Sequence, residues 1–180
     1  MSSSRSLPAK DRALALAALE ASRRAYAPYS AFAVGAALRT KSGRVHTGAN
    51  IENAAYGVTI CAEMSAISTA YGAGDTAIEA IAVAGHKFEA PFAHDTLVSP
   101  CGRCRQIILE CAQMNGRDIR VLSCSGDLRH ISADPISKLL PLGFGPKNLG
   151  LTAQWPRRRD ALELRTTKLA KAAKARVTRS

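Results

Sequence analysis

Residues 32–51, FAVGAALRTKSGRVHTGANI, decide the fold. Phe32 to Thr40 reads as one strand, Lys41-Ser42-Gly43-Arg44 as a turn and Val45 to Ile51 as a second strand, giving a hairpin. On the N-terminal side, residues 10–26 are rich in Ala, Leu and Arg and predict an amphipathic helix that Ala27-Pro28 stops. On the C-terminal side, Cys61 to Tyr71 predicts a helix ended by Gly72-Ala73-Gly74, and Ile78 to Ala84 is a nearly continuous apolar run, hence a buried strand. Leu97 to Ser99 reads as the end of a further strand, and Cys101 to Met114 as a helix closed by Asn115-Gly116. Arg120 to Ser123 and Leu128 to Ile131 read as strands around Ser125-Gly126-Asp127. Asp134-Pro135 starts a short helix to Leu140, with proline just inside its first turn. Helices alternating with strands predict an α/β sandwich around a mixed sheet. No internal repeat is visible.

A chain of 180 residues suits one folded domain with a sizeable core. No run is long and apolar enough to span a membrane, and the opening MSSSRSLPAKDR lacks a signal-peptide apolar segment. Five cysteines, an odd number with one C-x-x-C pair, point to metal or redox chemistry before disulfides, and the expected compartment is the cytoplasm. The net charge of +11 is uneven: residues 157–180 hold nine Lys or Arg against Asp160 and Glu163, so that segment carries +7. The chain divides into a flexible N-terminus (1–9), a catalytic domain (10–152) and a basic C-terminal tail (153–180). The tail is expected to be solvated and flexible, with some helical tendency. It is also where nucleic acid would bind, and a nucleic-acid-binding protein acting through it is the rival reading from another class. No stacking-aromatic cluster accompanies its cations.

The chemistry concentrates in Cys61-Ala62-Glu63 and Pro100-Cys101-Gly102-Arg103-Cys104. A catalytic zinc takes three protein ligands and leaves a fourth position for water. Cys61, Cys101 and Cys104 supply three thiolates, and Glu63 is a carboxylate placed to face the same water as a proton shuttle. Both segments fall at predicted helix N-termini, where exposed N–H groups and the helix dipole favour thiolate. The pattern H-x-E…P-C-x-x-C, with a three-cysteine variant, is that of zinc deaminases, in which an exocyclic amine is hydrolysed from a base. A structural zinc would need a fourth ligand at matching spacing. Cys111 and Cys124 form no second pair and read as core; His46, His86, His94 and His130 read as surface or satisfied.

The chain resembles the small, three-cysteine, homotetrameric cytidine deaminases. The likeness runs through Tyr26-Ala27-Pro28-Tyr29-Ser30, residues 32–38, Asn50-Ile51-Glu52-Asn53-Ala54-Ala55-Tyr56-Gly57, both cysteine segments with Arg105-Gln106, Leu139-Leu140-Pro141 and Phe144-Gly145-Pro146. It covers roughly residues 10–150. The resemblance implies a three-layer α/β/α sandwich around a mixed five-stranded sheet, one zinc per subunit, and hydrolysis of cytidine and deoxycytidine to the uracil nucleosides with release of ammonia, a step of pyrimidine salvage. It implies Cys61, Cys101 and Cys104 as ligands and Glu63 as shuttle. Asn50 and Glu52, two apart on a strand and so on one side, would bond the ribose 3′-hydroxyl. Phe32 would line the base pocket, and Ala62 and Ser99 would meet the pyrimidine edge through their backbone. Phe144 would enter a neighbouring subunit's site, so the homotetramer would share its active sites.

Two departures from the family pattern stand out. Where members commonly read Cys-Ala-Glu-Arg, this chain has Met64; the usual arginine donates to the ligand sulfurs. Arg103, between the paired cysteines, is the expected replacement. Blasticidin-type aminonucleoside deaminases resemble this chain in combining a non-arginine there with Cys-Gly-Arg-Cys. Met64 therefore raises the alternative of relaxed specificity, or of an aminonucleoside or N4-modified cytidine substrate. The second departure is the basic extension after residue 156.

Overall fold

The structure is a computed structural model and describes residues 2–3, 7–89 and 96–177. His94 and residues 1, 4–6 and 178–180 of the two terminal segments lie outside them. The elements are β1 (Ser2–Ser3), α1 (Ala9–Ser22), β2 (Phe32–Thr40), β3 (Val45–Ala49), α2 (Ala62–Gly72), β4 (Ile78–Lys87), α3 (Gly102–Met114), β5 (Arg120–Cys124), β6 (His130–Pro135), α4 (Ile136–Leu139) and α5 (Trp155–Val177). A 3₁₀ turn, Tyr56–Val58, precedes α2. Two compact units result, Met1–Gly143 and Phe144–Ser180.

In the first unit the strands run β1-β6-β5-β4-β2-β3. Among the described strands only β4 and β5 pair in parallel, so the sheet is mixed: five main strands with the two-residue β1 on its edge. Alternation along β2 sorts the layers. Ala37 packs with Leu14, Ala15 and Ala18 of α1. Ala36 and Leu38 pack with Ala66 and Ile67 of α2 and with Ile108 of α3. One helix on one face and two on the other make the expected α/β/α sandwich. Two glycines bring helix and sheet close: a Cβ on Gly35 would stand 2.0 Å from Ala18 O, and one on Gly48 would stand 2.3 Å from Ala66 N.

The hairpin forms with its second strand ending at Ala49 rather than Ile51, and its turn uses Gly43 at φ +84°. Buried Asp75 fastens it from the α2–β4 loop, accepting from Thr40 Oγ1 (2.7 Å), Ser42 Oγ (3.0 Å) and Arg44 Nε (2.9 Å), with His46 Nε2 at 3.1 Å. Buried Asp11 similarly receives Arg39 and Arg120.

Several boundaries differ from expectation. The first helix stops at Ser22, because Tyr26 instead gives its N–H to Asn50 O and bridges to Ile51. The strand ending at Ser99 is a single bridge, Val98 to Cys124; Pro100 can donate nothing further to a ladder. The last strand lies later than Leu128–Ile131, because Arg120 pairs with Pro135 and Val121 with Asp134. Pro135 therefore stays extended (φ −70°, ψ 150°) and caps α4 rather than sitting within it. In the second unit, the segment expected to lack fixed structure forms a 23-residue helix, α5, whose described side chains are exposed. Residues 144–152, read as part of the catalytic domain, fall in this unit.

Candidate metal centre and active site

Cys61 is the N-cap of α2 and Cys101 the N-cap of α3; both are extended, with ψ of 154° and 170°, and their side chains cap no backbone N–H. Cys104 lies in the first turn of α3. The two helices pack on the same face of the sheet, so their N-termini converge and bring the three sulfurs within 4.8 Å of one another. Cys61 Sγ and Cys101 Sγ are 3.9 Å apart. Tetrahedral zinc with Zn–S of 2.3 Å separates two ligand sulfurs by about 3.8 Å, so the spacing fits that ion. Two of the thiols are shifted in opposite directions. Hydrogen bonds from Cys104 foremost, then from Cys101 and Arg103, hold the Cys61 thiol down at about 5, whereas its bond to Cys61 and burial push Cys104 upward. Three thiolates this close repel one another, and a cation bound among them would offset that repulsion.

Glu63 points inward from the first turn of α2 and is only 4% exposed. Burial raises its pKa, and the Cys61 thiolate adds to the shift. A carboxyl held nearer neutrality suits both taking up and releasing a proton. Ala62 beside it is wholly buried. Met64 is half-buried and brings no charge.

β3 ends at Ala49, and Asn50 and Glu52 lie just beyond it on either side of Ile51, which bridges Tyr26 and Ile60. Buried Asn50 turns to β2, accepting from Val34 N (2.9 Å) and donating to Phe32 O (3.1 Å). Glu52 accepts from Tyr29 N (3.0 Å), Ser30 N (3.2 Å) and Ser30 Oγ (2.6 Å), and the Ser30 hydroxyl chiefly lowers its pKa. Its carboxylate lines a cavity of about 320 Å³ with Tyr29, Ser30, Tyr56 and Thr59. Phe32 sits on the α2–α3 face, its ring edge over Gly85. Ser99 is exposed and donates to Ser123 Oγ at 3.1 Å. Phe144, in the second unit, is 62% exposed. Cys111 and Cys124 are buried as expected, and Cys111 accepts from Tyr71 OH at 3.4 Å.

Arg103 reaches the cluster: Nη2 is 4.0 Å from Cys61 Sγ, Nη1 donates to Gly57 O at 3.3 Å, and Nη2 also donates to Thr59 O. Sequence reasoning missed Arg105, which ties the loop before α3 by donating to Pro100 O (2.8 Å) and Leu139 O (3.2 Å). Its place directly after Cys104 was the available signal.

Zinc deamination of a base is the class of chemistry this sandwich and thiolate–carboxyl cluster define. Residues 8–115 match the family described as "Cytidine and deoxycytidylate deaminase zinc-binding region". The cytidine deaminase of Halalkalibacterium halodurans is 41% identical over 134 residues, 73% of this chain and 92% of that one. That of Mycobacterium tuberculosis is 43% identical over 93 residues, 52% and 65% of the two chains. Among solved structures, cytidine deaminase from Burkholderia pseudomallei aligns with a TM-score of 0.64 at 38% identity, covering 73% of this chain and 97% of that one. The Mycobacterium tuberculosis enzyme gives 0.61 at 33%, covering 77% and 99%. This chain belongs to the cytidine deaminase family, and its cofactor is zinc.

Proposed function

We propose that the protein hydrolyses cytidine and deoxycytidine to uridine and deoxyuridine with release of ammonia. The observation that carries this is the convergence of Cys61, Cys101 and Cys104 beside buried Glu63, in a chain of this family. The three cysteines hold one zinc per subunit, which when bound supplies Lewis-acid activation of a water near neutral pH. Glu63 would take one proton from the attacking water and deliver it to the ring nitrogen, then carry the second, from the hydroxyl added at the amine-bearing carbon, to the leaving amine. Asn50 holds the strand that presents Phe32 to the base, while the backbone at Ala62 and Ser99 meets its polar edge. Glu52, anchored at Tyr29 and Ser30, uses its remaining lone pairs for the sugar hydroxyl. A site built around that hydroxyl selects nucleosides over free bases.

The active protein is a homotetramer that shares its sites through Phe144. Tyr26, Tyr29, Ile51, Tyr56, Val58 and Ile60 support this: all are exposed, Ile51 bridges Tyr26 and Ile60, and Tyr29 meets Tyr56 edge-on at the cavity, an apolar surface that another copy would cover. Among the described residues no helix is long and apolar enough to cross a membrane. Free cysteines and a nucleoside substrate fit pyrimidine salvage in the cytoplasm.

The test follows ultraviolet absorbance of cytidine, deoxycytidine, cytosine and an N4-substituted cytidine, with Glu63→Ala as control. Turnover of the two plain nucleosides, lost in the variant, is the expected result. Turnover confined to the substituted compound would move the assignment to the aminonucleoside branch that Met64 raises.

A further inference from the structure

Arg103 stands where two parts of the site meet. Its Nη2 faces the ligand sulfur of Cys61 and donates to the carbonyl of Thr59, while its Nη1 donates to the carbonyl of Gly57. Those carbonyls belong to the segment that supplies Tyr56 and Thr59 to the cavity around Glu52. Other ties on that segment are an Ile51–Ile60 bridge, the Asn53 N–H to Thr59 Oγ1 bond (3.2 Å) and an edge-on contact between Tyr29 and Tyr56. Tyr56 itself is 76% exposed. We propose that Arg103 is a positioning residue that joins the nucleoside cavity to the metal, setting the charge on Cys61 and the place of the 56–59 segment together. This rests on the deaminase reading above.

The charge argument starts from the donor set. Three thiolates around Zn²⁺ give a formal charge of about −1, which weakens the ion as a Lewis acid. A guanidinium beside one sulfur draws density from it and restores part of that acidity. Because Met64 is neutral, α2 contributes no cation next to Glu63, and the charge arrives from α3 instead. The geometric argument concerns shape. A planar fork can bond two carbonyls and a sulfur at once, whereas an ammonium carries the same charge without that directional reach. Lysine at this position therefore separates the two duties.

The experiment compares zinc-loaded and cobalt-substituted enzyme for wild type, Arg103→Ala and Arg103→Lys. Loss of the hydrogen bond raises the energy of the sulfur lone pairs. The thiolate-to-cobalt charge-transfer band should move to longer wavelength in Arg103→Ala and less in Arg103→Lys. Chelator competition should show metal held about 10–100-fold less tightly in Arg103→Ala. With cytidine, Arg103→Ala should lower kcat and raise KM together. Arg103→Lys should keep most of kcat and lose chiefly in KM, because charge remains but the segment is released. An unmoved cobalt band and unchanged metal affinity in both variants would overturn the proposal. So would equal kcat loss in alanine and lysine variants with KM untouched. If Arg103→Ala does not fold, the Arg103→Lys band and KM decide the question. Wild type inactive on every nucleoside would overturn the deaminase reading instead, and the cobalt band would still report whether Arg103 acts on Cys61.

Discussion

Gly48→Ala should disable the metal centre through packing alone. Gly48 lies in β3 beneath α2, and a Cβ there would stand 2.3 Å from Ala66 N, 2.7 Å from Ala62 O and 2.7 Å from the Ser65 carbonyl carbon. All three are backbone atoms, so no rotamer change relieves the clash. Restoring 3.4 Å to the nearest requires α2 to move by about 1.1 Å. That helix opens with Cys61 and Glu63, and metal–ligand distances tolerate only about 0.2 Å. The expected result is a stability loss of about 1–3 kcal/mol, release of zinc, and turnover down on the order of 100-fold. Gly35→Ala is the control. Its Cβ would meet Ala18 O at 2.0 Å and Ser22 N at 2.4 Å, a comparable insult on the α1 face, opposite the helices that carry Cys61, Cys101 and Cys104. Thermal unfolding, zinc per chain and kcat/KM should be measured for both. Gly48→Ala retaining zinc and wild-type turnover would refute the reasoning. So would a Gly35→Ala variant that loses zinc to the same degree at equal loss of stability.

Three further outcomes are expected. Thr40 above all, with His46, Ser42 and Arg44, holds the Asp75 carboxyl down at about 2, so its contribution is complete above the ordinary carboxylate range and disappears as pH falls from about 4 toward 2. Melting temperature should therefore fall more steeply over that interval in wild type than in Asp75→Asn; equal slopes would contradict the hub. Chelation should lower the melting temperature and make Cys61 and Cys101 the first thiols to react with an aromatic disulfide, since Cys111 and Cys124 are buried; first labelling at Cys111, read by peptide mass, would count against the assignment. A chain ending at Gln154 should keep its zinc and its turnover, because the ligands and Glu63 lie between residues 61 and 104; zinc loss on truncation would overturn that expectation.

What could be read from the sequence was local or carried by chemistry. The hairpin announced itself through two apolar runs and a glycine turn, and β2 has the expected limits. The cysteines could be placed at helix N-termini because Cys61 and Cys101 each precede a clear helical segment. Register lay beyond reach: β6 was displaced because its limits depend on pairing with β5, not on its own residues. The same holds for Asp75, whose hairpin partners lie up to 35 residues away, and for the carbonyls that hold Arg103, 44 and 46 residues distant. The anchoring of Glu52 at Tyr29 and Ser30 was likewise out of reach, since those partners lie 23 and 22 residues away.

The convergence of α2 and α3 at the cysteines bears on how the protein acquires its shape. Cys61 and Cys101 are 40 residues apart, and between them the chain must lay down β4 before α3 can return toward β5. Closing a loop of that length by a cross-link is worth about 4 kcal/mol in chain entropy. Cys104 precedes β5, so a bound ion would close this loop and hold the starts of α2 and α3 together independently of the parallel pair.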